Sequence, residues 1–211
     1  MLIRPWDAPH DDAERQRWPA AHGFGRLAVN GLPGGAPWVR PPHFAHDAGR
    51  GEAAAHLARP NPLWAALEAG PEVVLSVVDD HVYVPGPWQA PPEEPAEHGT
   101  PTSFHTAVQL RCTAHPVDDP EAEAGLLNRQ TGHFQPEGGS ARVAAGEVPY
   151  GRPLSGIRGI RLEVTGVRAE FEYADHRPAG TRERIAAGLA ARGGPGDAAA
   201  REHLLRRGPG A

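Results

Sequence analysis

His56, His105 and Arg59 are the residues of this chain whose types and surroundings could serve a reactive centre. An imidazole changes charge near neutral pH and, when neutral, offers a lone pair to a metal ion. A guanidinium grips carboxylates and phosphates with a planar fork. His56 is the stronger candidate for a metal ligand, because it lies on the apolar strand Ala53–Ala58, directly before a helix. Twelve histidines are present, and a lone histidine on a strand is more often a hydrogen-bonded structural residue than a ligand. His105 reads either as a pocket acid or base or as a wall residue. Arg59 reads as a carboxylate clamp or as an ion pair with Glu68 or Glu72. Trp64 and Trp88 are expected in the core or at a subunit interface. His43 and His46 have a ligand-like spacing, but no cysteine or second histidine pair joins them, so they read as a loop feature.

The elements around these residues follow from local pattern. Ala53–Ala58 is a short strand. Asn61 is placed to cap a helix with Pro62 at its first position, where a missing N–H costs nothing. That helix spans Leu63–Glu68 and stops at Gly70 and Pro71. Val73, Val74, Leu75, Val77 and Val78 form a nearly continuous apolar run suited to a buried strand. Asp79 and Asp80 read as a tight turn, with His81, Tyr83 and Trp88 on a second strand and its exit. Gly86–Gly99, with its PPEEP core, is a polar loop placed to cover a pocket mouth as a lid.

Elsewhere, Asp11 or Asp12 caps a helix through Trp18. Phe24–Asn30 and Trp38–Phe44 read as strands joined across Gly31–Gly35. Phe104–Ala114 is a strand and Asp119–Arg129 a helix. Gln135–Leu154 is irregular with a short helix, and Gly159–Tyr173 is one long strand or a bent pair. Thr181–Arg192 and Asp197–Arg207 are helices separated by Gly193, Gly194, Pro195 and Gly196.

Composition restricts the function classes. The 211 residues suit one domain, residues 1–211, ending in a helical extension at about 178–207. No apolar run approaches the roughly 20 residues of a membrane span. The start lacks the apolar stretch of a signal peptide, so a cytoplasmic protein is expected. The single Cys112 leaves no internal disulfide. A net charge of −5 gives no general basic surface, no helix-turn-helix pattern is visible, and nucleic acid is an improbable partner.

The stretch Ala55, His56, Leu57, Ala58, Arg59, Pro60, Asn61, Pro62, Leu63 and Trp64 resembles the GHxARxNPxW motif of the PaiB-like family, FMN-binding negative transcriptional regulators with a split β-barrel. His81, Val82, Tyr83, Val84, Pro85, Gly86, Pro87 and Trp88 resemble that family's HAYxSPSW strand. Gly23–Leu27 is similar to its first barrel strand, and Ile185–Gly196 to its C-terminal helix and turn. The resemblance implies a mainly β fold with α elements: a split β-barrel decorated by helices, with a C-terminal helical segment. It also implies a homodimer with the cofactor near the subunit interface.

The chain departs from the family where a phosphate would be held. Pro85, Gly86 and Pro87 stand in place of SPSW hydroxyls, Pro101–His105 in place of PTWNY, and Glu172–His176 in place of a lysine-containing KLSQN. All 21 basic residues are arginine. A phosphate needs convergent N–H, hydroxyl and cationic donors, whereas haem needs an apolar slot and an axial ligand. The pattern is therefore similar to the haem-dependent piperazate synthase branch, which closes N5-hydroxy-L-ornithine into L-piperazic acid. That resemblance implies haem b with His56 as the iron ligand and His105 as second choice. It further implies Arg59 on a propionate or the substrate carboxylate, Trp64 and Trp88 at the cofactor, and His105 or a carboxylate such as Glu68 as proton donor. The alternatives are an FMN-binding regulator, a flavin-dependent oxidoreductase, or a haem-degrading enzyme on a related barrel.

Overall fold

The computed structural model describes residues 1–91 and 93–208. Seven mostly antiparallel strands form a split β-barrel sheet in the order β2-β1-β5-β6-β7-β4-β3. They are β1 (Arg26–Val29), β2 (Trp38–Arg40), β3 (Ala45–Asp47), β4 (Glu52–Ala58), β5 (Glu72–Val84), β6 (Thr102–Val117) and β7 (Ile157–Glu172). The helices are α1 (Asp12–Ala21), α2 (Leu63–Ala69), α3 (Gly86–Gln89), α4 (Pro120–Phe134), α5 (Gly151–Leu154), α6 (Ala179–Arg192) and α7 (Asp197–Arg206). The backbone groups into two compact units. Unit 1 comprises Met1–Arg15, Val78–Val108 and Arg168–Ala211, and unit 2 comprises Gln16–Val77 and Gln109–Val167. Among the described residues, no helix is long and apolar enough to cross a membrane.

In unit 2, β4 pairs antiparallel with β3 and with β7, so that His56 lies opposite Gly159. Strand alternation buries Ala53, Ala55 and Leu57 and turns Glu52, Ala54 and His56 to the other face. Leu27, Phe44, Leu75, Leu110, Ile160 and Leu162 complete this core. Cys112 lies among them, and burial pushes its thiol up to about 12, so it is chemically inert. Helix α4 covers β3 and β4. Its N-terminus is capped by Asp119, whose Oδ1 accepts the Ala122 N–H at 2.8 Å, and Pro120 takes the first position.

In unit 1, Phe104, Phe171, Tyr173, Ile185, Leu189 and Leu204 make a second core against which α6 and α7 pack. Arg207 is fully buried there. Its Nε donates to Asp175 at 2.8 Å, and its two amino groups reach the Glu14 carboxylate at 2.8 Å and the Ala8 carbonyl at 2.7 Å. The guanidinium also lies 5.0 Å from the Phe171 ring centroid.

Several expectations change on folding. Asp79 and Asp80 do not turn the chain, because β5 runs through them without a break. Asp80 takes φ 53°, a left-handed conformation that a short polar side chain tolerates. The consequence is a switch of facing: Val73, Leu75 and Val77 are buried before it, and Val82 and Val84 after it. The strand expected at Trp38–Phe44 ends at Arg40, where Pro41 and Pro42 remove two ladder donors. The helix expected to end at Arg129 continues to Phe134 and stops just before the residue preceding Pro136. Pro62 stays outside α2, although the Asn61 side chain does accept the Leu63 N–H at 3.0 Å. The Gly86–Gly99 segment carries α3 and a 3-10 turn at Ala96–His98, and its Pro92 lies outside the described residues. Gly159–Tyr173 resolves into the single long strand β7.

Candidate functional site

His56 sits on the outer face of β4 and is exposed, yet its ring is not free to turn. Its Nδ1 lies 2.7 Å from Oε1 of Gln130, a buried side chain on α4. The other end of that amide is also fixed, since Gln130 Nε2 donates to the His43 carbonyl at 2.9 Å. The carbonyl can only accept, so the amide must present its oxygen to His56. Nδ1 must then carry the proton, and Nε2 is left with an open lone pair. A histidine whose second nitrogen is held by a hydrogen bond has the arrangement of a metal ligand.

Three residues further on, Arg59 is half-exposed and serves several acceptors. Its Nε donates to the Ser155 carbonyl at 3.2 Å, and its amino groups lie 3.5 Å from Asp118 and 3.5 Å from Glu123. The expected partners Glu68 and Glu72 are taken elsewhere, the first by Arg158 at 2.8 Å and the second by the Thr113 hydroxyl at 3.0 Å. Glu123 is buried and one of its oxygens has no hydrogen-bond partner. Burial raises its pKa; the charge of Arg59, a bond from the Gly159 N–H and the field of His56 oppose the rise. His56 and Arg59 are thus brought together about one buried carboxyl. Trp64 is buried with its indole N–H donated to the Ala58 carbonyl at 3.0 Å, and Arg158 covers its ring at 4.8 Å. It pins the end of β4, the strand that carries His56.

On the same face of β4 and beside the same helix, a cavity of about 380 Å³ is lined by His46, Asp47, Arg50, Glu52, Ala54, Arg129 and His133. Arg129 has no ion pair among the described residues, and burial lowers the pKa of His46, whose Nδ1 has no hydrogen-bond partner. His43 serves through its carbonyl rather than its ring, which packs against Phe24 and Phe134.

His105 and Trp88 belong to unit 1. His105 stands between two carboxylates, its Nε2 at 3.7 Å from Glu170 and its Nδ1 at 3.8 Å from Glu172. Trp88 is half-buried beneath Arg192, whose guanidinium lies 5.1 Å from the ring. Its backbone carbonyl accepts Arg184 Nε at 3.1 Å. Sequence reasoning missed Gln130, Arg4, Arg177 and Asp7. Gln130 lies 74 residues from His56 in an unremarkable helix, so no local signal links the two. The same holds for the N-terminal Asp7, buried beside Glu172 and Glu170, where burial and then those carboxylates push it up to about 7.

A family model described as "Putative FMN-binding domain" matches residues 1–166. The chain belongs to this FMN-binding family. Solved structures share the fold. The flavocytochrome Anf3 from Azotobacter vinelandii is 16% identical with a TM-score of 0.60, over 81% of this chain and 72% of that one. A conserved hypothetical protein from Mycobacterium tuberculosis is 16% identical with a TM-score of 0.57, over 84% and 94%. An FAD and heme binding protein from Mycobacterium smegmatis is 21% identical with a TM-score of 0.54, over 79% and 72%. No curated protein matches the chain.

The residues present can be tested against the cofactors this FMN-binding family brings into question. For a flavin phosphate, Pro85, Gly86 and Pro87 offer no hydroxyl, and Gly86 is pressed against the Gly99 carbonyl so closely that no side chain fits. The nearby Thr102 hydroxyl is already donated to Glu172 at 3.0 Å. For haem, His56 presents an open Nε2 with its tautomer fixed; the neighbouring cavity, which His56 does not line, offers Arg129 and also Arg50, the latter 4.0 Å from Glu52.

Proposed function

We propose that this member of the FMN-binding family is a haem b enzyme, a piperazate synthase that cyclises N5-hydroxy-L-ornithine to L-piperazic acid. The observation that carries this reading is the His43–Gln130–His56 relay, which spends a buried glutamine on holding one imidazole with its Nε2 open. In this assignment His56 would hold the iron, and Arg59, with Arg129, would supply charge for the propionates. Trp64 steadies the strand end that bears His56 and Arg59. Bound haem would supply a Lewis-acidic iron that weakens the N–O bond of a hydroxylamine.

The reaction is redox-balanced within the substrate. The N5–O bond breaks, the α-amine nitrogen bonds to N5 and loses a proton, and the hydroxyl leaves with a proton as water. The protein's share is to fold the substrate so that the two nitrogens meet, a positioning effect worth several kcal/mol, and to deliver the proton. His105 is proposed for that delivery; Glu170 lies 3.7 Å from its Nε2 and Glu172 3.8 Å from its Nδ1. The working unit is proposed to be a homodimer with the cofactor near its interface.

Purification from a haem-supplemented culture followed by an ultraviolet-visible spectrum tests the reading. A Soret band that shifts on reduction, is lost in His56→Ala, and accompanies conversion of N5-hydroxy-L-ornithine is the expected result. His105→Gln should keep the band and lose turnover. Retention of haem and full activity in His56→Ala overturns the ligand assignment. The match to the FMN-binding family over residues 1–166 favours the second reading, a flavin-dependent oxidoreductase or FMN-binding regulator, for which a flavin spectrum is the signature.

A further inference from the structure

Unit 1 carries a second constellation that no motif announces. A cavity of about 190 Å³ is lined by Arg4, Gln89, Thr102, Glu172, His176 and Arg177. The volume lies below the roughly 300 Å³ at which pockets for drug-sized ligands begin, so the cavity suits a small molecule. Glu172, His176 and Arg177 lie beyond the residues that the family model matches.

Its basic side is left open. Neither Arg4 nor Arg177 has an ion pair among the described residues. Arg4 lies over the Trp6 ring, 5.8 Å from its centroid, and Arg177 Nε is buried with no hydrogen-bond partner. Arg182 and Arg207, in the same unit, are paired with Asp175. The imidazole of His176 lies within the fields of both open guanidiniums: its pKa is lowered first by burial and then by Arg177 and Arg4. The acidic side holds more carboxylate than counter-charge: Glu172, in the lining, accepts the Thr102 hydroxyl at 3.0 Å and shares the single imidazole of His105 with Glu170. An unpaired guanidinium pair recognises a carboxylate by charge-assisted bonds, and an excess of carboxylate recognises an ammonium group.

We infer that this cavity binds a small free α-amino acid, with the ligand carboxylate held by Arg4 and Arg177 and its cationic end by the Glu172 side. The inference goes beyond the synthase reading, whose iron ligand lies in unit 2, and rests on it only for the choice of L-ornithine as probe. Isothermal titration of the full chain, as purified, with L-ornithine, putrescine and inorganic phosphate tests it. L-ornithine should bind, and putrescine, which lacks the carboxylate, should bind at least about tenfold more weakly. Arg177→Gln and the exposed Arg4→Gln should each weaken L-ornithine at least about tenfold without changing the circular dichroism spectrum. Equal binding of putrescine overturns the inference, as do unchanged affinity in both variants and binding of phosphate without L-ornithine. Haem plays no part in the readout: a protein without a Soret band that binds L-ornithine through Arg177 removes the haem reading and leaves this one standing.

Discussion

Replacing Asp7 by Asn should change how the stability of this protein depends on pH. The carboxyl is 3% exposed, one oxygen has no hydrogen-bond partner, and its pKa is pushed from 3.8 up to about 7. Burial is the largest cause, and the charges of Glu172 and Glu170 add to it while Arg4 opposes. A group whose folded pKa is raised binds its proton more tightly in the folded state. The cost of ionising it is absent below pH 3.8, grows through the interval, and is complete above about pH 7. A rise of about 3 units at about 1.4 kcal/mol each sets that full cost at roughly 4 kcal/mol. Between about pH 5 and pH 9 the share still to be lost is roughly 2 to 3 kcal/mol. Asn has the same shape and no charge, and any cost of burying its amide does not vary with pH. Urea unfolding of both proteins at the two pH values, followed by tryptophan fluorescence, therefore isolates the effect. The variant should gain roughly 2 to 3 kcal/mol on the wild type between pH 5 and pH 9. A difference between the two proteins that stays constant with pH would refute the reasoning.

Arg207→Met should destabilise by about 3–5 kcal/mol in urea unfolding, because it leaves Glu14 and Asp175 buried without one of their counter-charges; a loss below about 1 kcal/mol would contradict the assigned pairing. Glu14, whose pKa is lowered by a bond from the His10 N–H and by Arg206 and Arg207 against the opposing effect of burial, contributes stability above the ordinary carboxylate range that is lost as pH falls through its folded value. The acid limb of the unfolding curve should accordingly flatten in Glu14→Gln. Gln130→Leu should weaken haem retention about 10- to 100-fold while leaving His56 in place, read by haem transfer to apomyoglobin; unchanged retention would show that the relay does not serve a ligand. Gly188→Ala places a Cβ 2.6 Å from the Trp88 ring. Despite the roughly 1 kcal/mol that Ala gains in a helix, net destabilisation of about 1–3 kcal/mol is expected in thermal unfolding, with a shifted tryptophan emission.

Period and punctuation made much of the scaffold legible. The extent of β4, the helix stop after Ala69 and the start of α4 beside Asp119 are local events, and each lies within a residue or two of its expected place. Asp79 and Asp80 misled because a turn and a change of facing within one strand share a vocabulary of short polar residues, and only the pairing of neighbouring strands selects between them. The α4 helix outran its expected end because Gly132 weakens a helix without breaking it.

Residue identity and near-neighbour spacing set much of the strand and helix inventory, the family motif at His56–Trp64, and the loss of hydroxyl and lysine donors where a phosphate would sit. Which nitrogen of His56 is open follows from folding alone, because it rests on Gln130 and on a carbonyl 87 residues away from it. Folding alone also decided that Asp7 is a buried acid beside Glu172 and that Arg4 and Arg177 share a cavity while Arg207 is sealed among carboxylates. Charge, tautomer and burial at a site are set by groups that meet through folding, and sequence separation carries no record of such meetings.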